Sequence, residues 1–309
     1  MSQVVRASAP GSTMLFGEHA VLDGHPAVVA AINHRITVSW TPRADGVVTL
    51  YSDLGEETLP GDALPADGGT GPLRFLLAAL ARCPAAASGG TLRIEQAFPP
   101  DVGFGSSAAV TAATLAALHP DADQATLLRL AVETIRAVQG RGSGADAAAS
   151  VYGGISAYNA NDLTCRRIAD PLPISLGYCG YKTPTPEVIA QVDAHRTTDP
   201  DRVQRALAEM AAASTDAIAA FELRTPELLA AAALRAQEAY RTLGLSTPEL
   251  EAIYDAFAVT PGCLGAKISG AGRGDCVLAL GTDQATAPGF ESLPVAIDER
   301  GVCVEDRTP

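Results

Sequence analysis

The sequence predicts an α+β fold divided into two domains, residues 1–170 and 171–309. β-like runs, glycine-rich loops and alanine-rich helical stretches fill the chain to about residue 170, long helical patterns then follow one another, and β-like runs close it. Strands mixed with segregated helices indicate α+β. The chain has 309 residues, 47% of them hydrophobic, which is enough to bury a sizeable core. That length exceeds what one core organises efficiently, so two units of about 150 residues are expected.

The elements follow in order. A short β-like start at Val4 breaks at Pro10-Gly11 and resumes as an apolar run around Glu18 and His19. Arg35–Trp40 and Val47–Ser52 are alternating or β-branched and read as a strand pair. Pro72–Arg82 reads as a helix, and Thr91–Phe98 as a strand ending at Pro99-Pro100. DVGFGSSAAVTAATLAAL follows at once as a glycine loop opening a helix. Leu127, Leu128, Ala131, Ile135 and Val138 recur at helical spacing over Gln124–Val138, and Gly140 stops that helix. A second glycine loop, GRGSGAD, leads into another alanine-rich helix. Beyond residue 170, helices are expected over Pro186–His195, Arg202–Phe221, Pro226–Leu243 and Pro248–Phe257, where proline in a first turn lacks no needed N–H donor. Strands are expected at Gly265–Ser269, Cys276–Gly281, Pro294–Asp298 and Val302–Glu305, with the third glycine loop, GAGRGD, among them.

Charge narrows the functions. A formal net charge of −13 offers no broad field for phosphate backbones or anionic lipid, so nucleic-acid and membrane partners are not expected. An anionic ligand would need a local device such as a helix N-terminus or a bound cation. Lysine occurs only at positions 182 and 267 among 22 basic residues, which reads as codon bias. Six scattered cysteines without a Cys-x-x-Cys pair, and five histidines without ligand spacing, argue against zinc sites and disulfides and fit a reducing cytoplasm.

Gly103-Phe104-Gly105-Ser106-Ser107 is the first candidate for chemistry. Its glycines let backbone approach a ligand, the following helix presents unsatisfied N–H groups, and the serines can cap it, bind phosphate or reach magnesium. An ordinary N-cap accounts for the same residues. Neither GxxxxGK[ST] nor GxGxxG with a distal acid is present, which argues against the standard nucleotide folds.

Four segments in order, APGSTMLFGEHAVLDGHPAVVAAI, PPDVGFGSSAA, GSGADAAASVYGG and KISGAGRGDC, resemble the motifs of the GHMP kinases. Within that family GEHAVLDG followed by GSGAD is most similar to the mevalonate kinase branch, and VQGRGSGADAAASVYGGISAY also resembles phosphomevalonate kinases. The resemblance implies an N-terminal mixed sheet with helices, a C-terminal ferredoxin-like α/β sandwich with extra helices, and phosphoryl transfer from ATP with Mg2+ to a small-molecule alcohol. Mevalonate is the acceptor it favours. A phosphomevalonate kinase, a diphosphate decarboxylase on the same scaffold and a noncatalytic nucleotide-binding homologue stand as alternatives, and a homodimer is left open as the assembly.

The resemblance also implies site residues. Gly103, Gly105, Ser106, Ser107 and Ala108 would hold the nucleotide, with Ser107 on the metal. Asp146 would be the catalytic carboxylate. Glu18, His19 and Ser12 would lie at the acceptor, and Gly270, Gly272 and Arg273 would bring the third loop to the site. Two departures stand out. Ser12 occupies the place of a family lysine, so either another cation substitutes, with Arg141 and Arg273 as candidates and Lys182 and Lys267 less well placed, or the metal and the loop amides suffice. The family's metal-binding glutamate position holds Ile135, leaving Glu133, two residues away on another helix face, as the candidate metal ligand.

Overall fold

A computed structural model describes residues 3–96 and 103–308. Pro99–Val102, and residues 97 and 98 of the strand expected at Thr91–Phe98, lie outside the described residues. The fold is mixed α+β in two sheets. The first contains β1 (Val4–Phe16), β2 (Ala27–Pro42), β3 (Val47–Ser52), β4 (Gly55–Pro60), β5 (Gly90–Gln96), β6 (Ile155–Asn159), β7 (Thr164–Ala169) and β12 (Cys303–Thr308). Its order is β12-β1-β2-β5-β3-β4, with β6 joined to β2 and β7 to β6. Only β3 and β5 pair in parallel within it. The second sheet is antiparallel, in the order β11-β8-β10-β9, from β8 (Ile174–Tyr178), β9 (Gly265–Ser269), β10 (Cys276–Leu280) and β11 (Glu291–Leu293).

Three strand expectations require correction. Arg35–Trp40 and Val47–Ser52 both lie in strands, but they are not a pair: β5 inserts between β2 and β3, antiparallel to the first and parallel to the second. β1 does not break at Pro10-Gly11; it continues to Phe16, and its register with β2 slips at that point. A bulge tolerates a residue with no N–H, and it releases the next amide from the ladder. The Ser12 N–H accordingly donates to the Phe104 carbonyl at 2.9 Å, joining the strand to the first glycine loop. Pro294–Asp298 is not a strand. β11 ends at Leu293, and Ile297 makes only an isolated bridge to Ile32. Arg35 fastens this returning segment, donating to Asp298 at 2.7 Å and to the Gly301 carbonyl at 2.9 Å.

The helices are α1 (Arg74–Ala81), α2 (Ser106–Leu118), α3 (Gln124–Gln139), α4 (Ala145–Tyr152), α5 (Thr185–Thr198), α6 (Pro200–Leu223), α7 (Pro226–Leu243) and α8 (Pro248–Ala258). α2 and α4 pack on β1 and on each other. Their alanines permit this close layering: Ala108, Ala109, Ala112 and Ala113 of α2, and Ala147, Ala148 and Ala149 of α4, are all buried in one core. α7 and α8 cover the second sheet, where β10 is buried along its whole length. No helix among the described residues is long and apolar enough to cross a membrane.

Candidate active site

The start of α2, the start of α4, the start of α5 and the third glycine loop meet around a cavity of about 450 Å3. Gly103, Gly105, Ser106, Ser107 and Ala108 line it from the first loop; Gly144, Asp146 and Ala147 from the second; Gly270 and Ala271 from the third. Three helix N-termini at one cavity put the positive ends of three backbone dipoles there, which suits an anion in an otherwise acidic protein.

Local chemistry sets each loop. Gly105 is the N-cap of α2 with φ +64°, and a Cβ on it would stand 2.0 Å from Ser12 Oγ. Only glycine accepts both that backbone conformation and that approach. The N–H groups of Ala108 and Ala109 both donate to the Gly105 carbonyl, so the Ala108 amide closes the turn and is not presented to a ligand. In the second loop, Ser143 Oγ accepts from the Ala145 N–H at 3.2 Å, while the Ser143 carbonyl takes the Tyr158 hydroxyl at 2.7 Å. Burial raises the Tyr158 phenol far above its ordinary range, so it remains a donor that pins this loop.

Asp146 lies in the first turn of α4 and faces the cavity, and Ser12 Oγ donates to its Oδ1 at 2.8 Å. Ser12 itself is buried, does not line the cavity, and holds the Asp146 carboxylate in place through this hydrogen bond. Beside it, Thr13 and Ser269 share a buried hydroxyl contact of 2.9 Å, and Ser269 Oγ donates onward to the Met14 carbonyl.

Glu18 and His19 both reach the cavity wall. Glu18 is paired with Lys267, whose side chain has no solvent exposure and lies over the rings of Phe16 and Tyr240, 5.5 and 5.7 Å from their centroids. Burial draws the Lys267 ammonium below its ordinary range, and the Glu18 charge opposes that shift. The Tyr240 hydroxyl donates to the Gly270 carbonyl at 2.5 Å. His19 Nε2 donates to the Ala271 carbonyl at 2.8 Å, so the GEH segment and the third loop are directly tied.

Burial lowers the His19 imidazole below its ordinary 6.5, against the opposing effects of the Ala271 carbonyl and Glu18. A depressed folded-state value means that protonation favours the unfolded chain. The His19 contribution to stability is therefore complete above about pH 6.5, the unfolded value, and declines as the pH falls through the lower folded value. Urea midpoints measured from pH 7.5 to 5.5 should fall for the wild type and fall less for His19→Gln. Equal losses in the two proteins would refute this linkage.

Other expected residues are not brought to the cavity. Glu133 is 49% exposed, its carboxylate meets Arg129 at 3.3 Å on the helix surface, and Ile135 lines the cavity in its stead. The reason is the helix period, which sends residues two apart to different faces. Gly272 packs on Leu245, and the Arg273 backbone donates to Leu245 and accepts from Thr183. Neither lines the cavity. Arg141 does, but it is held by the Pro186 carbonyl and Asp193. Arg74, Lys182 and Asp275 line it unforeseen. The rarity of lysine was the signal for Lys182, one of only two in the chain.

Among the described residues no three His, Cys, Asp or Glu side chains cluster as a metal cage. Magnesium at a phosphate site needs no such cage, since one or two protein oxygens suffice when phosphates and water complete the shell. Ser107, which lines the cavity, suits that donor set.

Helix N-termini directed at one cavity beside a braced carboxylate suit the transfer of a phosphoryl group between small molecules. The comparisons agree. The family profile for the GHMP kinases N terminal domain matches residues 73–154, and that for the GHMP kinases C terminal matches residues 217–291. The mevalonate kinase of Archaeoglobus fulgidus is 33% identical, covering 97% of this chain and 99% of its own. That of Aeropyrum pernix is 32% identical, covering 95% and 93%. Among solved structures, Lactococcus lactis galactokinase complexed with galactose superposes with a TM-score of 0.82 at 19% identity, covering 98% of this chain and 95% of that one, a likeness of fold. The chain belongs to the GHMP kinase family and is a small-molecule kinase.

Proposed function

We propose that this kinase transfers the terminal phosphoryl group of ATP, with Mg2+, to the primary hydroxyl of mevalonate, giving mevalonate 5-phosphate and ADP. The observation that carries the phosphoryl-transfer reading is the Asp146 carboxylate, braced by Ser12, facing the same cavity as the start of α2. The choice of mevalonate is supported by relatives of that name at 32% and 33% identity over nearly the whole chain.

In this reading the first turn of α2 and the glycines before it bind the phosphates, where dipole and backbone favour negative charge. Ser107 would hold magnesium together with phosphate and water oxygens, and the ion would supply charge neutralisation at the transferring group. Asp146 takes the proton of the acceptor hydroxyl as its oxygen bonds to phosphorus, while the bond from phosphorus to the ADP oxygen breaks. Ser12 keeps the carboxylate aimed, so little reorganisation accompanies the transfer. Glu18 and His19 form the acceptor wall, the first held by Lys267 and the second by the third loop.

Phosphorus NMR of the protein incubated with ATP, Mg2+ and, separately, mevalonate, phosphomevalonate, homoserine and sugars tests this. A monophosphate ester should form from mevalonate. No product from mevalonate, with product from another alcohol, would overturn the acceptor and leave the kinase. Release of CO2 from mevalonate diphosphate would instead identify the decarboxylase.

A further inference from the structure

Both lysines of this otherwise arginine-based chain are at the cavity or directly behind it. Lys267 is fully buried against Glu18, and Lys182 lines the opening. Lys182 is 40% exposed and its Nζ lies 3.2 Å from Asp275 Oδ2, on a side chain only 14% exposed. That carboxylate cannot swing away freely. The Asp275 N–H donates to the Tyr181 carbonyl at 2.8 Å and its carbonyl accepts from the Cys179 N–H at 3.0 Å. Cys276 Sγ touches its Oδ1 at 3.4 Å. The residue is held at φ +73°. Both carboxylate oxygens also stand where a Cβ on Gly103 would be, at 2.1 and 2.3 Å. Asp275 therefore holds Lys182 beside the first glycine loop.

We propose that Lys182 is the cation that meets the terminal phosphates, with Asp275 as its positioning residue. This rests on the kinase reading of the same cavity. An acid beside a phosphate loop is unfavourable unless a cation stands between them. Ammonium carries three donors in a compact head, so Lys182 can keep Asp275 on one N–H and give another to a phosphate oxygen. A guanidinium would instead tend to close its planar fork on the carboxylate and be consumed by it. The other permanent cations lining the cavity among the described residues are already engaged: Arg141 with Pro186 and Asp193, Arg74 with the Gly71 carbonyl. A lysine at this place, where the chain uses arginine almost everywhere else, suits that bridging geometry.

Calorimetric titration of the full chain with the non-hydrolysable analogue adenosine 5′-(β,γ-imido)triphosphate and Mg2+ tests the assignment, with kcat measured in parallel. Lys182→Met should bind the analogue about tenfold or more weakly, the loss of one charge-assisted contact, with a shallower dependence on salt. Lys182→Arg should also be weakened, and adding Asp275→Asn to it should restore much of the affinity by freeing the guanidinium. Lys182→Met within about twofold of wild type in affinity and kcat would overturn the proposal, as would Lys182→Arg binding as well as wild type. If wild type itself does not bind the analogue, the kinase reading fails and this inference falls with it.

Discussion

Asp146→Asn is expected to lower kcat by about 100-fold or more, the usual cost of removing a positioned proton acceptor. Asparagine retains an oxygen that can accept the Ser12 hydroxyl, so the brace seen at 2.8 Å is preserved while the basic function is lost. The substitution thereby separates position from chemistry. Affinity for a non-hydrolysable nucleotide should change little by comparison. Steady-state kinetics beside circular dichroism would decide the matter, and a kcat within about threefold of wild type would remove Asp146 from the role of base.

Lys267→Met is expected to produce the largest loss of stability. Both members of the Lys267-Glu18 pair are buried, with side-chain exposures of 0% and 3%. Removing one ion from such a pair leaves the other desolvated without compensation, at a cost of about 3–5 kcal/mol. Neutralising both, as Lys267→Met with Glu18→Gln, should recover much of that loss, because no isolated charge then remains. Urea denaturation measures the two proteins directly. A single variant within about 1 kcal/mol of wild type would show that water or rearrangement already compensates Glu18. Activity would fall in both, since Glu18 forms part of the cavity wall.

These two residues differ in how visible they are. Asp146 is legible as a carboxylate opening a helix because those signals are local, a glycine loop, a helix start and an acid in the first turn at adjacent positions, whereas its catalytic role is what the family resemblance implies. The helices α7 and α8 were equally legible, since proline starts, apolar periodicity and a stopping residue all act within a few turns. β4 and β7 gave little alternation, because as outlying strands they expose much of their length. The unbroken course of β1 was hidden by Pro10-Gly11, whose meaning changes from terminator to bulge once a partner strand is present.

What the residues determined by themselves was the α+β class, the three glycine loops and an acid in the first turn of the helix after the second, because backbone conformation and helix starts depend on near neighbours. Only the tertiary structure decided that Ser12 braces Asp146 across 134 residues, that Lys267 neutralises Glu18 across 249, and that Glu133 stays on the surface while Lys182 reaches the cavity. Electrostatic pairing depends on distance in space and on exclusion of water, and sequence separation carries neither quantity.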